Sequence, residues 1–323
     1  MPDLDREPRS LAIAVLTFRR TQALQNLIPL LLAQAESVAV PSYILVVDND
    51  PDGSAGPVVS RFASESVRYE HEAEPGIAAA RNLALAAASE TDLLVFIDDD
   101  EIPHEHWLAN LMQTYQQYRS AGVVGNVLRE YEIDPDPWIM AGRFFDRDPI
   151  KTGTPVPAAG TGNLLLDLNQ IRKLGVTFDP VFGLSGGSDT LFTRQIVRRG
   201  GQLIWCAEAP IFEQIPASRL TRKWVLTRAF RIGNASSRTA LVMADTAMER
   251  MRVRTMATLA GLARLGGGGL RYLRGKLTGS TASEARGLRT TARGAGMLSG
   301  AFGYHYDREY RNARRQAVSQ GAA

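Results

Sequence analysis

The stretch Leu93-Leu94-Val95-Phe96-Ile97-Asp98-Asp99-Asp100-Glu101 constrains this chain more than any other. Five apolar residues run without a break into four acids. A short, wholly apolar segment predicts a strand buried on both faces, as in a parallel sheet covered by helices. The acids then gather at its carboxyl end, where open α/β sheets bind ligands. Clustered carboxylates repel, and each raises its neighbour's pKa. A divalent cation removes that repulsion. An all-oxygen donor set suits Mg²⁺ or Mn²⁺, ions that also hold substrate phosphates. The plainer alternative is a solvated acidic turn with Glu101 opening the next helix. Acids placed directly at the end of an apolar strand favour the metal–phosphate site.

The rest of the first 215 residues repeats the alternation. Leu11 to Thr17 predicts a first buried strand, followed by Arg19, Arg20 and a helix to about Leu32. Tyr43 to Val47 predicts a second strand, ending in the turn-rich run Asp48-Asn49-Asp50-Pro51-Asp52-Gly53-Ser54. Val67-Arg68-Tyr69 predicts a short strand, and Pro75-Gly76 precedes an Ala-rich helix carrying Arg81 and Asn82. A helix is expected from Pro103, with Trp107, Leu108, Leu111, Met112 and Tyr115 on its apolar stripe, then a strand over 122–127. Such alternation implies an α/β fold with a Rossmann-like, mostly parallel sheet and helices on both faces. The proline-broken stretch 134–157, with Trp138, Phe144 and Phe145, is expected to form an active-site loop or lid. Gly160 to Leu166 predicts a Gly-led strand. Gly183 to Asp189 is a Gly-rich turn opening a helix, in which Ser188 or Asp189 is also a plain N-cap candidate.

Charge divides the chain. Residues 1–215 hold 17 Lys and Arg against 29 acids, a net of −12; residues 216–323 hold 20 against 5, a net of +15. Three parts are therefore expected: a disordered lead-in over 1–10, a catalytic domain over 11–215, and a basic helical C-terminal region over 216–323. In the last, helices are expected around a break at Gly266-Gly267-Gly268-Gly269, and Gly294, Gly296, Gly300 and Gly303 suit close helix contacts. Arg interleaved with Leu, Met, Trp and Tyr fits an anionic membrane surface or a solvated basic face packed on the body. No window has the ~18 uninterrupted apolar residues of a membrane span. The acidic, polar opening is unlike a leader peptide. The single cysteine, Cys206, lies in the strand-like Leu203–Cys206 run and is expected to be a core thiol in a reducing compartment. The histidines His71, His104, His106 and His305 have no metal-ligand spacing.

Four features stand in order: Val46 to Asp50, Gly76 with Ala80-Arg81-Asn82, Asp98-Asp99-Asp100, and Gly186-Gly187-Ser188-Asp189. Together they resemble family 2 glycosyltransferases of the GT-A fold, over roughly residues 10–240. Phe96 to Trp107 and the Arg-Trp-Arg helix near 222–231 resemble bacterial exopolysaccharide members, the succinoglycan-type glucosyltransferases in particular.

The resemblance implies a nucleotide-sugar site. Asp48 would accept a hydrogen bond from uracil, with Thr17 and Arg19 beside the base and Arg81 near the nucleotide. Asp98 would lean towards the ribose, and Asp100 would hold Mn²⁺ or Mg²⁺ against the diphosphate, supported by Asp99 and Glu101. Asp189 would be the general base of an inverting displacement. Gly162, Asn163 and Ser188 would serve the acceptor side, and Arg222, Trp224 and Arg228 the phosphates. The implied donor is a UDP-sugar, UDP-glucose by the narrower likeness. The implied acceptor is a polyprenyl-diphosphate-linked saccharide, met by a peripheral enzyme at the cytoplasmic membrane face. Two positions depart from the family: Ser188 where an acid is usual, and Phe212 where many relatives carry His, leaving Glu213 or water as a third ligand. These departures motivate a rival reading, a nucleotide-sugar-binding subunit without turnover. A sugar-1-phosphate nucleotidyltransferase would need glycine after the first strand, which Thr17-Phe18-Arg19-Arg20-Thr21 lacks. The acidic body argues against a nucleic-acid partner.

Overall fold

The structure, a computed structural model, describes residues 7–62, 66–183 and 186–304. In order, the elements are β1 (Leu11–Thr17), α1 (Thr21–Glu36), β2 (Ser42–Asp48), α2 (Gly56–Val59), β3 (Val67–His71), α3 (Ile77–Ala87), β4 (Leu93–Asp98), β5 (Glu101–Pro103), α4 (Trp107–Tyr118), β6 (Gly122–Tyr131), α5 (Pro137–Gly142), β7 (Asn163–Asp167), α6 (Leu168–Leu174), α7 (Ser188–Arg198), β8 (Leu203–Ile215), α8 (Arg222–Val242), α9 (Ala247–Thr278) and α10 (Thr281–Ala301). The chain divides into two compact units, residues 1–130, 149–183 and 188–214 in the first and 131–148, 184–187 and 215–323 in the second.

The first unit is built on one eight-stranded sheet of order β3-β2-β1-β4-β7-β6-β8-β5. The pairs β1–β2, β1–β4 and β2–β3 are parallel, and β4–β7, β6–β7 and β5–β8 are antiparallel. Every residue of β1 and the first five of β4 are buried. Alternate strand residues feed opposite faces. Ile13, Val15, Val95 and Ile97 pack with Leu24, Leu31, Trp107 and Leu111 on one face. Ala12, Ala14, Leu94 and Phe96 pack with Ala80, Ala84, Phe178 and Phe192 on the other. The helices therefore cover both faces, as the apolar runs predict. The register of β1 against β2 and β4 aligns Thr17 with Asp48 and Leu16 with Asp98, so three strand ends reach one edge.

One boundary differs from the expectation. Glu101 and Pro103 belong to the short strand β5, which pairs with β8, and α4 starts only at Trp107. Proline has no N–H to donate. The next amide, His104 N, bonds Pro210 O, which extends the pairing by one residue.

In the second unit, α5 is capped by Asp136, whose side chain accepts from Trp138 N at 2.8 Å, with Pro137 in its first turn. Trp138, Ile139 and Phe145 are buried with Ile215, Leu220, Val225 and Ala285. The aromatic residues expected in a lid are thus the core of this unit. A second correction concerns the glycine run: α9 passes unbroken through Gly266–Gly269 for 32 residues. It starts with a capping box in which Thr246 and Glu249 bond each other's backbone. Glycine in a helix costs about 1 kcal/mol against alanine. At Gly268 that cost is offset by close approach, since a Cβ there would stand 2.7 Å from Thr291 N of α10. The small-residue contacts expected for this region recur where Gly296 and Gly300 lie against the backbone of Phe230 and Asn234 in α8.

Candidate active site

The acids at the end of β4 do not act alike. Asp99 is buried, and both its oxygens are taken: Thr17 Oγ1 donates to Oδ2 at 2.8 Å and Arg20 Nη1 to Oδ1 at 2.7 Å. Burial raises its pKa, against the pull of Arg20 and Thr17. Arg20 also pairs with Asp100 Oδ2 at 2.8 Å, while its own side chain stays 44% exposed. Glu101 is buried and turns back on its neighbour, accepting from Asp98 N at 2.9 Å. Burial, Asp98, Asp100 and Glu213 push the Glu101 carboxyl well above the usual range. Asp98 is pushed up to about 6, first by burial and then by the charges of Asp100, Asp99 and Asp189, against Arg81. Asp98, Arg81 and Asp189 are therefore close enough to sense one another.

Three further elements close around Asp98. Arg81, in the first turns of α3, is buried with its guanidinium 5.5 Å from the Phe178 ring centroid. Gly162 leads into β7, and a Cβ there would meet Glu101 Oε1 at 2.6 Å and Asp98 Oδ2 at 3.1 Å. A Cβ on Gly160 would lie 3.4 Å from Asp189 Oδ2. Glycine at these positions lets the chain run directly beside the carboxylates. Asp189 sits in the first turn of α7, where the helix dipole favours its charge. Its Oδ1 accepts from Thr190 N at 2.7 Å, and its Oδ2 faces the glycine loop. The donor set fits a hard cation, since only oxygen ligands converge and their mutual repulsion calls for positive charge. Among the described residues no three His, Cys, Asp or Glu side chains form a metal cage. Asp98, and Asp100 with its Arg20 pair, are the carboxylates that would hold such an ion, matching sites where one or two acids share a metal with phosphates.

Other expected site residues have different work. Asp48 is fully buried, its Oδ1 accepting from Asp50 N and its Oδ2 from Ala55 N and Tyr69 OH. It organises the 48–55 turn, and a side chain so enclosed presents nothing to a uracil ring. Thr17 is spent on Asp99. Arg19 is held away by Asp50 at 3.0 Å and Asp52 at 2.8 Å. Asn163 is buried, accepts from Trp107 Nε1 at 2.8 Å, and donates to Asn126 O and Ala209 O, so it ties α4, β6, β7 and β8 together. Ser188 is buried, and its hydroxyl has no partner among the described residues; Thr161 is in the same state. Glu213 faces Glu101 across the β5–β8 pair and is ion-paired with Arg129 at 3.3 Å. Phe212 lies beside the His104 ring, 6.2 Å between centroids. His305 lies outside the described residues.

Arg222, Trp224 and Arg228 all lie in the second unit and are engaged there. Arg222 pairs with Asp136 at 2.9 Å and stacks over Trp138. Trp224 stacks on Phe145, and Arg228 donates to Phe144 O at 3.2 Å. Arg20 is the residue that sequence reasoning passed over. Its signal was its place after β1, at the same sheet edge as the β4 acids.

The glycosyl transferase family 2 model matches residues 12–167, which carry β1 to β7 and the acid cluster. The succinoglycan biosynthesis protein ExoM of Rhizobium meliloti is 30% identical over 242 residues, covering 73% of this chain and 76% of that protein. The O-antigen chain rhamnosyltransferase WbaN of Salmonella anatum is 22% identical, over 53% and 56%. Among solved structures, GalNAc-T7 with UDP, GalNAc and Mn²⁺ superimposes with a TM-score of 0.53 at 14% identity, over 72% of this chain and 51% of that one, so this chain spans about half its length. S. aureus TarS with UDP superimposes with a TM-score of 0.51 at 14% identity, over 88% and 90%. These likenesses give the fold as GT-A, and the extent of the ExoM match, together with the family model lying over the acid-bearing strand, makes this chain a member of glycosyltransferase family 2.

Proposed function

We propose that this chain is an inverting, metal-dependent hexosyltransferase. It takes a UDP-sugar, UDP-glucose by preference, and extends a polyprenyl-diphosphate-linked saccharide in exopolysaccharide assembly at the inner membrane face. The observation that carries the reading is the glycine-flanked lead into β7, where Gly162 lies directly against the Asp98 and Glu101 carboxylates and Gly160 beside Asp189 Oδ2, so that one short stretch of backbone touches both the β4 acids and the α7 carboxylate. Asp98 and Asp100 would hold Mn²⁺ or Mg²⁺, which when bound supplies Lewis-acid stabilisation to the departing diphosphate. Arg81 adds a fixed positive charge beside Asp98, suited to the nucleotide's phosphates. Asp189 Oδ2, the oxygen turned to the glycine loop, takes the acceptor hydroxyl's proton as the new bond forms. Its other oxygen is fixed by Thr190 N, which orients the base. Thr17 holds Asp99, and Arg20 bonds both Asp99 and Asp100, which fixes the turn that carries Asp100. The buried Ser188 adds no second charge beside the base.

The test is release of UDP or GDP from a panel of nucleotide sugars, with a lipid-linked saccharide extract, with Mn²⁺ or with EDTA, for the wild type and Asp189→Asn. Metal-dependent release from one UDP-sugar, lost in Asp189→Asn, is expected. Metal-dependent nucleotide-sugar binding without turnover on that extract would favour the non-catalytic subunit.

A further inference from the structure

Helix α9 hides its small residues and exposes its large ones. Its buried positions are Ala257, Gly261, Gly268 and Gly275. There the helix lies on α10, as a Cβ on Gly261 would meet Leu298 Cγ at 2.8 Å and one on Gly275 would overlap Glu284 N. Met248, Met251, Met256, Leu259, Leu262, Leu270, Leu273 and Leu277 are between 53% and 88% exposed. At about 100° per residue, these eight fall on the side of the helix opposite the glycines. The pairs Met248/Met251, Leu259/Leu262 and Leu270/Leu273 repeat at a constant spacing of about three full turns. The stripe therefore runs nearly straight, over roughly 44 Å.

An exposed apolar face of this extent marks an interaction surface. Charge identifies the partner. The helix carries seven Lys and Arg and one acid, Glu249. Of the basic residues Arg252, Arg264, Arg271, Arg274 and Lys276 are all exposed. We propose that this face of α9 docks on a bilayer containing anionic lipid. The helix lies in the interfacial plane, its Leu and Met side chains at the acyl boundary and its Arg and Lys side chains among headgroup phosphates. A spanning role is ruled out for the described helices, none of which is long and apolar enough to cross a membrane. A second copy of the helix is a poor occupant, because it would set one strongly basic surface on another. A Cβ on Gly266, Gly267 or Gly269 would meet nothing within 4 Å, so this part of the face is open as well. The inference rests on the proposed function only in giving a lipid-linked acceptor a surface at which it is met.

The experiment is co-sedimentation of the full chain with phosphatidylcholine vesicles, with and without about one-third phosphatidylglycerol, at low and high salt. The wild type is expected to bind the anionic vesicles about tenfold more tightly than the neutral ones, and less tightly in high salt. The double variant Leu259→Glu/Leu270→Glu should lose about tenfold or more of that binding while keeping its melting temperature, since both side chains are exposed. Equal binding by this variant, or none by the wild type, overturns the proposal. So does a wild-type dimer, without vesicles, that the variant turns into a monomer, because a second copy then covers the face. A thermal shift with UDP and Mn²⁺ is read in parallel. If the wild type binds vesicles but gives no such shift, the donor reading fails and the docking surface stands.

Discussion

The two units bring chain segments together by opposite means. The first packs large aliphatic and aromatic residues inward and encloses polar side chains whose bonds are met internally, as at Asp48, Asn49 and Asn163. The second brings helix backbones together through glycine, at Gly233, Gly261, Gly268, Gly287, Gly294 and Gly296, and leaves Leu and Met of α9 outside. The first arrangement is rigid enough to hold like-charged acids against each other at one sheet edge. The second provides a long, flat helical surface with little chemistry in it. The difference teaches that glycine means different things in the two units. At Gly162 it lets the backbone press against the carboxylates of Asp98 and Glu101, and at Gly233 and Gly296 it lets one helix backbone press against another.

The largest effect expected belongs to chemistry at the first kind of glycine. Asp189→Asn keeps the shape of the side chain and removes the base. Transfer should fall about 10²–10⁴-fold, while UDP affinity, measured by calorimetry with Mn²⁺, stays within about twofold. A parallel loss of UDP affinity would make Asp189 a donor contact instead.

Next in size is Asn163, which the family likeness puts on the acceptor side. Asn163→Ala strands Trp107 Nε1 and two carbonyls. Each unsatisfied buried group costs about 1–3 kcal/mol. Denaturant unfolding should show a loss of about 3 kcal/mol or more. A stable variant with impaired transfer would return Asn163 to the acceptor.

Asn163 shows what the sequence could and could not reveal. The strands of the first unit were legible because apolar runs end in turn residues or acids, and a two-sided buried strand has few alternatives. Asp98 and Asp189 stood out in the sequence because one ends an apolar strand and the other lies in the first turn of a helix after a Gly-rich run, with Arg81 about one turn into another helix. Asp48 and Asn163 were not separable from ligand contacts, because a carboxylate or amide that holds a turn has the same identity as one that holds a substrate. Only its bonding partners distinguish the two. The role of Trp138 and Phe145 was hidden because their neighbours Val225 and Ala285 are far away in sequence. Continuity of α9 through four glycines was hidden for the same reason, since the compensation comes from α10. The exposed stripe on α9 becomes visible only when the opposite face is known to be covered.

A pair of glycine substitutions sharpens the contrast within the second unit. A Cβ at Gly296 would overlap Phe230 O, whereas one at Gly267 meets nothing within 4 Å. Gly296→Ala should destabilise by about 1–3 kcal/mol through overpacking. Gly267→Ala should stabilise by about 0.5–1 kcal/mol, by helix propensity alone. Equal effects in thermal melts would mean that the helices do not depend on backbone contact.

The smallest expected effect tests the acids themselves. Burial and its acidic neighbours raise Asp98 from 3.8 to about 6, and Glu101 moves in the same direction. The folded site then keeps protons that the unfolded chain releases between about pH 4 and 6. Ionising the site costs folding stability, so the metal-free protein should lose stability as pH rises through that window and stay lower above it. In EDTA, the melting temperature should be a few degrees higher near pH 5 than near pH 7. Mn²⁺ favours the ionised carboxylates, so it should raise the melting temperature more at pH 7 than at pH 5. Asp98→Asn removes one of the two raised carboxyls and should make the EDTA profile shallower, with Glu101 supplying the slope that remains. A flat wild-type profile would mean that Arg81 and Arg20 already balance the acids, and that the first unit needs no cation to hold its charges together.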